Sequence, residues 1–285
     1  MTAALLSAPP DVIFPLTHGT LGEDGCLQGL LEVFDVPFVG CGVLASALGA
    51  NKPFAKAHWR AAGLPVAREF VFRKGDSLPK CAREIRNAIQ GSLAVKPANG
   101  GSAIGVKRVS ADAPESELIA TFESVFTMDN EAIVEPWIDG VELTCGVLET
   151  DQGIRALPPT LILPARADFY DFVSKYANGG SKHICPAPLP PAFIERIQTL
   201  AIATHQTLQA RDLSRTDFIV DESRGVEAGL TILEINTLPG MTSTSLFPEA
   251  AGLAGIDFKT LVDGLVRRAF SRPKRVVPQV FAMPT

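Results

Sequence analysis

The sequence predicts an α/β protein, and three observations carry that prediction. Apolar runs of strand length alternate with runs whose apolar residues recur every three to four positions. Glycine, proline and polar residues punctuate the joins between them. A length of 285 residues with 46% hydrophobic side chains suits two domains or one large one with a sizeable core.

Asp11 to Thr17 reads as a strand, and the loop His18 to Gly25 leads into a helix from Cys26 to Phe34. A short strand, Val36 to Val39, ends at Gly40. The next helix carries Asn51 and Lys52, runs to Ala62 and stops at Gly63, with Pro65 just beyond. Leu64 to Phe72 reads as a strand. Helices near Lys80 to Gln90 and Glu115 to Phe126 flank the strand Leu93-Ala94-Val95-Lys96. Ala132 to Pro136 and Glu142 to Leu148 read as strands, and Ala192 to Ala210 as a long helix. Arg215 to Val220 and Thr231 to Asn236 are strand-like runs joined by the polar segment Asp221 to Gly229, and Asp257 to Phe270 is an amphipathic closing helix. No internal repeat is visible.

Composition narrows the function classes. A formal charge of −5, with no basic stripe beyond Arg272-Pro273-Lys274-Arg275, argues against nonspecific nucleic-acid binding. No run approaches the roughly 18 apolar residues that span a bilayer, and Met1 to Pro10 lacks the basic flank of a secretory signal, so a cytoplasmic location is expected. Cys26, Cys41, Cys81, Cys145 and Cys185 are odd in number and widely spaced, which predicts free thiols and no zinc site.

The chemistry concentrates near the end of the chain. In the strand run through Glu234-Ile235-Asn236, side chains alternate faces, so Glu234 and Asn236 share one face with Ile235 opposite. Asp217 on the preceding strand supplies a third oxygen donor. Taken singly, each reads equally as a solvated strand-end residue; together, two carboxylates and an amide suit magnesium, which completes its shell with water and nucleotide phosphates. A second feature is the loop Lys96-Pro97-Ala98-Asn99-Gly100-Gly101-Ser102-Ala103-Ile104-Gly105. Its glycines let backbone N–H groups approach a phosphate and Lys96 adds positive charge, although an ordinary hairpin turn has the same composition.

Lys96 with its glycine loop, Glu135-Pro136-Trp137-Ile138, Glu142, Asp217 and Glu234 to Thr242 together resemble the ATP-grasp carboxylate-amine ligases. Within these, His18-Gly19, Gly22-Glu23-Asp24-Gly25, Phe169-Tyr170-Asp171 and Lys175-Tyr176 resemble the D-alanine:D-alanine ligase family, over roughly Asp11 to Arg268. The resemblance implies an ATP-grasp fold with three parts: a partial N-terminal α/β domain over 1–43, a smaller lobe over 44–134 and a larger lobe with the metal site over 135–285. It further implies ATP between two lobes, with Lys52, Lys96 and Lys175 near the nucleotide and the Ser102 loop closing over its phosphates. Glu135 and the backbone near Trp137 and Ile138 would read the adenine, and Glu142 the ribose. Asp217, Glu234 and Asn236 would hold two magnesium or manganese ions. Arg215 and the Gly240 N–H would form an oxyanion hole, Ser245 would bind a substrate carboxylate, His18 would touch substrate, and Tyr176 with Ser102 would position the acceptor amine. On the residues alone, Arg215 reads equally as a strand-edge ion-pair partner and Tyr176 as a partly buried aromatic.

The implied reaction joins two D-alanine molecules through an acyl phosphate for peptidoglycan synthesis, in a homodimer that engages neither nucleic acid nor membrane. An ATP-grasp ligase for another acid and amine, or a nucleotide-binding module without turnover, are the other readings. Two departures from the family pattern stand out. The strand and glutamate-bearing loop with which members begin do not precede Asp11, which predicts a shortened first domain, and Ala98 and Ala103 stand where phosphate-loop serines are usual.

Overall fold

A computed structural model of the protein describes residues 8, 10–101, 104–164 and 181–273. The chain enters through α1 (Cys26–Val33), α2 (Val43–Ala50) and α3 (Lys52–Ala61). The smaller lobe follows as β1 (Phe70–Arg73), α4 (Leu78–Ala88), β2 (Leu93–Pro97), β3 (Lys107–Val109), α5 (Glu115–Val125) and β4 (Glu131–Pro136), with sheet order β1-β4-β2-β3. The remainder comprises β5 (Val141–Thr150), β6 (Gly153–Ala156), β7 (Thr160–Pro164), β8 (Ser181–Ile184), α6 (Pro191–Thr207), β9 (Leu213–Val220), the short α7 (Gly225–Ala228), β10 (Leu230–Asn236), α8 (Leu246–Leu253) and α9 (Phe258–Ser271). Its sheet order is β10-β9-β5-β7-β8, with β6 paired to β5. All strand pairs among the described residues are antiparallel, so the helices and strands mix in the α+β manner.

Period-two alternation decides what each sheet offers the space between them. In β2, Leu93 and Val95 join the core under α4 and α5, as Ala132 and Val134 do in β4. Lys96 and Glu135 therefore fall on the opposite face. In β10 strict alternation from Leu230 and Ile232 would send Glu234 into the core, but a bulge between Ile232 and Glu234 resets the count. Ile235 then packs inward with Ile232, and Glu234 and Asn236 face away from it.

The larger sheet is covered on one side by α6, through Phe193, Ile197 and Leu200, and on the other by α8 and α9, through Phe247, Leu261 and Leu265. Ala55 and Trp59 of α3 belong to the first of these cores, and Trp59 Nε1 donates to Thr204 O across it. Between the sheets the chain turns at Gly140, where φ is +153° and a Cβ would meet Val220 O at 2.6 Å, so only glycine fits.

Four of the expected elements differ from the sequence prediction. Asp11 to Thr17 and Val36 to Val39 make one parallel bridge, Ile13 to Phe38, because Pro15 and Pro37 remove the N–H groups a longer ladder needs. The strand over Leu64 to Phe72 reduces to a bridge at Val66 followed by β1. Asn51 does not ride inside a helix but separates two: its backbone is extended and its side chain accepts from Phe54 N as the N-cap of α3. None of the described helices is long and apolar enough to cross a membrane, and the five cysteines are free thiols.

Candidate active site

The space between the sheets holds a cavity of about 280 Å³ lined by Lys52, Lys96, Glu135, Trp137, Ile138, Glu142, Asp217 and Glu234. Eight of the residues singled out from the sequence thus share one cleft. Lys52 is placed by the Asn51 cap at the first turn of α3; its Nζ donates to Gly100 O at 2.6 Å and lies 3.6 Å from Glu234 Oε2. Asn51 Nδ2 also donates to Asn99 Oδ1, and Lys52 N to Ala98 O, so the start of α3 grips the glycine loop at three points. Lys96 Nζ pairs with Glu135 Oε2 at 2.8 Å. Burial, with the neighbouring charge of Lys52 behind it, lowers the Lys96 pKa from 10.5 to about 8.

Trp137 closes one wall. Its N–H donates to Ser92 O at 2.8 Å, its indole N–H to Asp139 Oδ1, and the Arg108 guanidinium sits 4.9 Å from its ring centroid. Arg108 also lines the cavity and was not singled out from the sequence; on a three-residue strand with no motif around it, nothing there marks it.

Asp217 and Glu234 are register partners across β9 and β10. Asp217 Oδ1 accepts from Thr144 Oγ1 at 2.6 Å and from Arg215 Nε at 3.2 Å, while Oδ2 accepts from Asn236 Nδ2 at 3.4 Å. Among the described residues no group of three or more histidine, cysteine, aspartate and glutamate side chains forms a metal cage. Two carboxylates and one amide leave a shell to be completed from outside the protein, the arrangement a hard divalent cation shared with phosphates requires. The donor set fits magnesium.

A larger cavity, about 620 Å³, adjoins the first and shares Gly101, Ile104 and Glu234 with it; Glu23, Asn236 and Thr237 also line it. Nearby, a Cβ on Gly240 would come within 2.8 Å of Ser245 Oγ and 3.9 Å of His18 Nε2. Ser245 Oγ in turn accepts from Thr242 N at 2.9 Å. His18 is thus brought beside Gly240 and Ser245, more than two hundred residues away in sequence. Glu23 supports the arrangement: Oε1 accepts from Gly19 N, and Oε2 lies 3.7 Å from His18 Nδ1. That contact raises the His18 pKa, burial opposing it. Ser102, Lys175 and Tyr176 lie outside the described residues, as do Phe169, Tyr170 and Asp171.

Two antiparallel sheets closing on a cleft of paired lysines and acids define the class as ATP-grasp, and solved structures agree. The D-alanine–D-alanine ligase from Bacillus anthracis complexed with ATP superposes with a TM-score of 0.76 at 28% identity, covering 95% of this chain and 83% of that one. The VanG D-Ala:D-Ser ligase from Enterococcus faecalis superposes with a TM-score of 0.78 at 31% identity, over 91% of this chain and 73% of the other. Residues 58–267 match the family described as D-ala D-ala ligase C-terminus, and residues 2–41 the D-ala D-ala ligase N-terminus. The D-alanine–D-alanine ligase of Agrobacterium fabrum is 42% identical over 269 residues, 94% of this chain and 84% of that protein. The chain belongs to the D-alanine–D-alanine ligase family.

Proposed function

We propose that the protein joins two D-alanine molecules at the expense of ATP, forming D-alanyl-D-alanine for peptidoglycan synthesis in the cytoplasm. The observation that carries this reading is the junction of the two cavities at Glu234, with Lys52 on one side of it and Asp217 across the strands. A phosphoryl group handed from nucleotide to amino acid has to cross at such a wall. The family relationship supplies the substrate class.

Each residue has a task in that reaction. Lys52 and Lys96 neutralise the phosphate oxygens as the first D-alanine carboxylate attacks, and the glycine loop supplies backbone donors. Glu135 accepts from the adenine amino group, the Ile138 backbone reads its edge, and Glu142 holds the ribose hydroxyls. Asp217, Glu234 and Asn236 would hold two magnesium or manganese ions, which polarise the phosphate and spread its charge. Arg215 and the Gly240 N–H stabilise the oxyanion when the second amine attacks the acyl phosphate, and Ser245 with His18 binds substrate carboxylate. Lys175 completes the nucleotide site; Ser102 and Tyr176 hold the acceptor amine. The active unit is a homodimer, checked by light scattering.

The deciding experiment measures phosphate release with ATP, magnesium and D-alanine, alone and against D-serine and other amino acids as acceptors. D-alanine-dependent release matched one-to-one by dipeptide is expected. Preference for another acceptor would move the assignment to a sister ligase, and nucleotide binding without release in any mixture would reduce the protein to a binding module.

A further inference from the structure

Lys56 lies on α3 one turn beyond Lys52 and is 0% exposed. Lysine is almost never so deeply buried without a partner. Its Nζ donates to Glu135 Oε1, while Lys96 Nζ takes Oε2 of the same carboxylate at 2.8 Å. Glu135 is itself only 3% exposed. Lys96 and Glu135 line the nucleotide cleft; Lys56 stands behind them, inside the wall. No part of the reaction described above uses it.

A carboxylate that takes a lysine amine at each oxygen is held in one rotamer, and the Lys96 charge beside it favours its ionised form, so toward a ligand it accepts hydrogen bonds. Its two oxygens offer about four acceptor positions, and two lysines leave room for an incoming N–H. A purine with a 6-amino group donates to such an acceptor. A purine with a 6-oxo group presents an oxygen to it and is repelled. We propose that Lys56 is a positioning residue for nucleobase selection, holding Glu135 as a fixed, charged acceptor so that the cleft takes 6-amino purine triphosphates and rejects 6-oxo ones. This rests on the nucleotide reading given under the proposed function. Burial, then the charge of Lys96, pushes the Lys56 pKa well below its ordinary value, and the amine donates to Glu135 Oε1 whether charged or neutral.

The test compares kcat/KM for ATP with that for inosine triphosphate in the wild type, Lys56→Met, Glu135→Gln and the double variant. Lys56→Met is expected to lower the ATP-to-ITP ratio about tenfold or more, mainly through the nucleotide KM, with the D-alanine KM within about twofold of wild type. The double variant should lose no more selectivity than Glu135→Gln alone, because the two residues act as one unit. A wild-type ratio in Lys56→Met beside a lost ratio in Glu135→Gln overturns the proposal, whatever happens to the melting temperature. If Lys56→Met does not fold, the double variant compared with Glu135→Gln decides: equal ratios support the proposal, and a further loss overturns it. An unchanged ratio in Glu135→Gln removes the adenine contact itself and this inference with it, while D-alanine-dependent phosphate release tests the ligase reading separately.

Discussion

Lys96 shows how burial sets the working range of one charge. Its pKa of about 8 against an ordinary 10.5 means that the folded protein binds fewer protons than the unfolded chain between those values. Stability therefore rises with pH across that window, while the positive charge facing a phosphate is lost as pH passes about 8. ATP affinity, measured by calorimetry from about pH 7 to about pH 9.5, should fall above about pH 8 and stay flat in Lys96→Arg, whose guanidinium does not titrate there. Glu234→Gln removes charge from the donor set at the junction of the two cavities, and kcat should drop roughly a hundredfold or more in a phosphate-release assay. Glu142→Ala, by contrast, removes the side chain proposed to hold the ribose, a contact made alike in ground and transition states: the nucleotide KM should rise about tenfold with kcat nearly unchanged. These residues were legible because each sits in a dense run with a chemical logic of its own. Lys56 and Glu23 were not, since their partners, Glu135 and His18, are assigned by folding and not by spacing.

Among the elements, α3 carries the most consequence for its length. Asn51→Ala deletes its cap and should cost about 1 kcal/mol, read as a lower melting temperature, and should also raise the nucleotide KM because Lys52 loses its anchor. Most of the expected helices and strands were readable from periodicity, with most ends within a residue or two, but the short strands β3, β6, β7 and β8 and helix α8 were not expected. What periodicity could not give was the break at Asn51, where a cap followed by Pro53 overrides a continuous apolar pattern, or the bulge before Glu234, which reverses a face without any glycine or proline to announce it. The bridge at Ile13 failed as a strand for the opposite reason, with β-forming side chains present but proline in both partners.

Over the whole molecule, the catalytic cleft sits opposite a second charged assembly that fastens the C-terminal helix. Glu149 on β5 accepts from Asp212 N and Arg268 and meets buried His205; Arg272, just past α9, pairs with Asp212 at 2.6 Å. The His205 contact first, then the Asp212 N–H, hold the Glu149 pKa at about 2 against burial, compared with an ordinary 4.5. A depressed carboxylate contributes stability that is full above about pH 4.5 and gone once pH falls through about 2. Glu149→Gln should flatten the melting temperature across that acid range relative to wild type. Nothing in the sequence marks this assembly, because its members come from four separated segments with no shared motif.

The single residue between α2 and α3 has a mechanical meaning. Gly49, two residues before it, packs so closely on Thr237 that a methyl group there would meet it at 2.7 Å, and Lys52, one residue after it, holds the glycine loop through Gly100 O. The stretch from Gly49 to Lys52 therefore reaches both cavities, Gly49 lining the larger and Lys52 the smaller. On the function proposed above, D-alanine should bind more tightly to the protein already loaded with a non-hydrolysable ATP analogue than to the empty one, as calorimetry would measure.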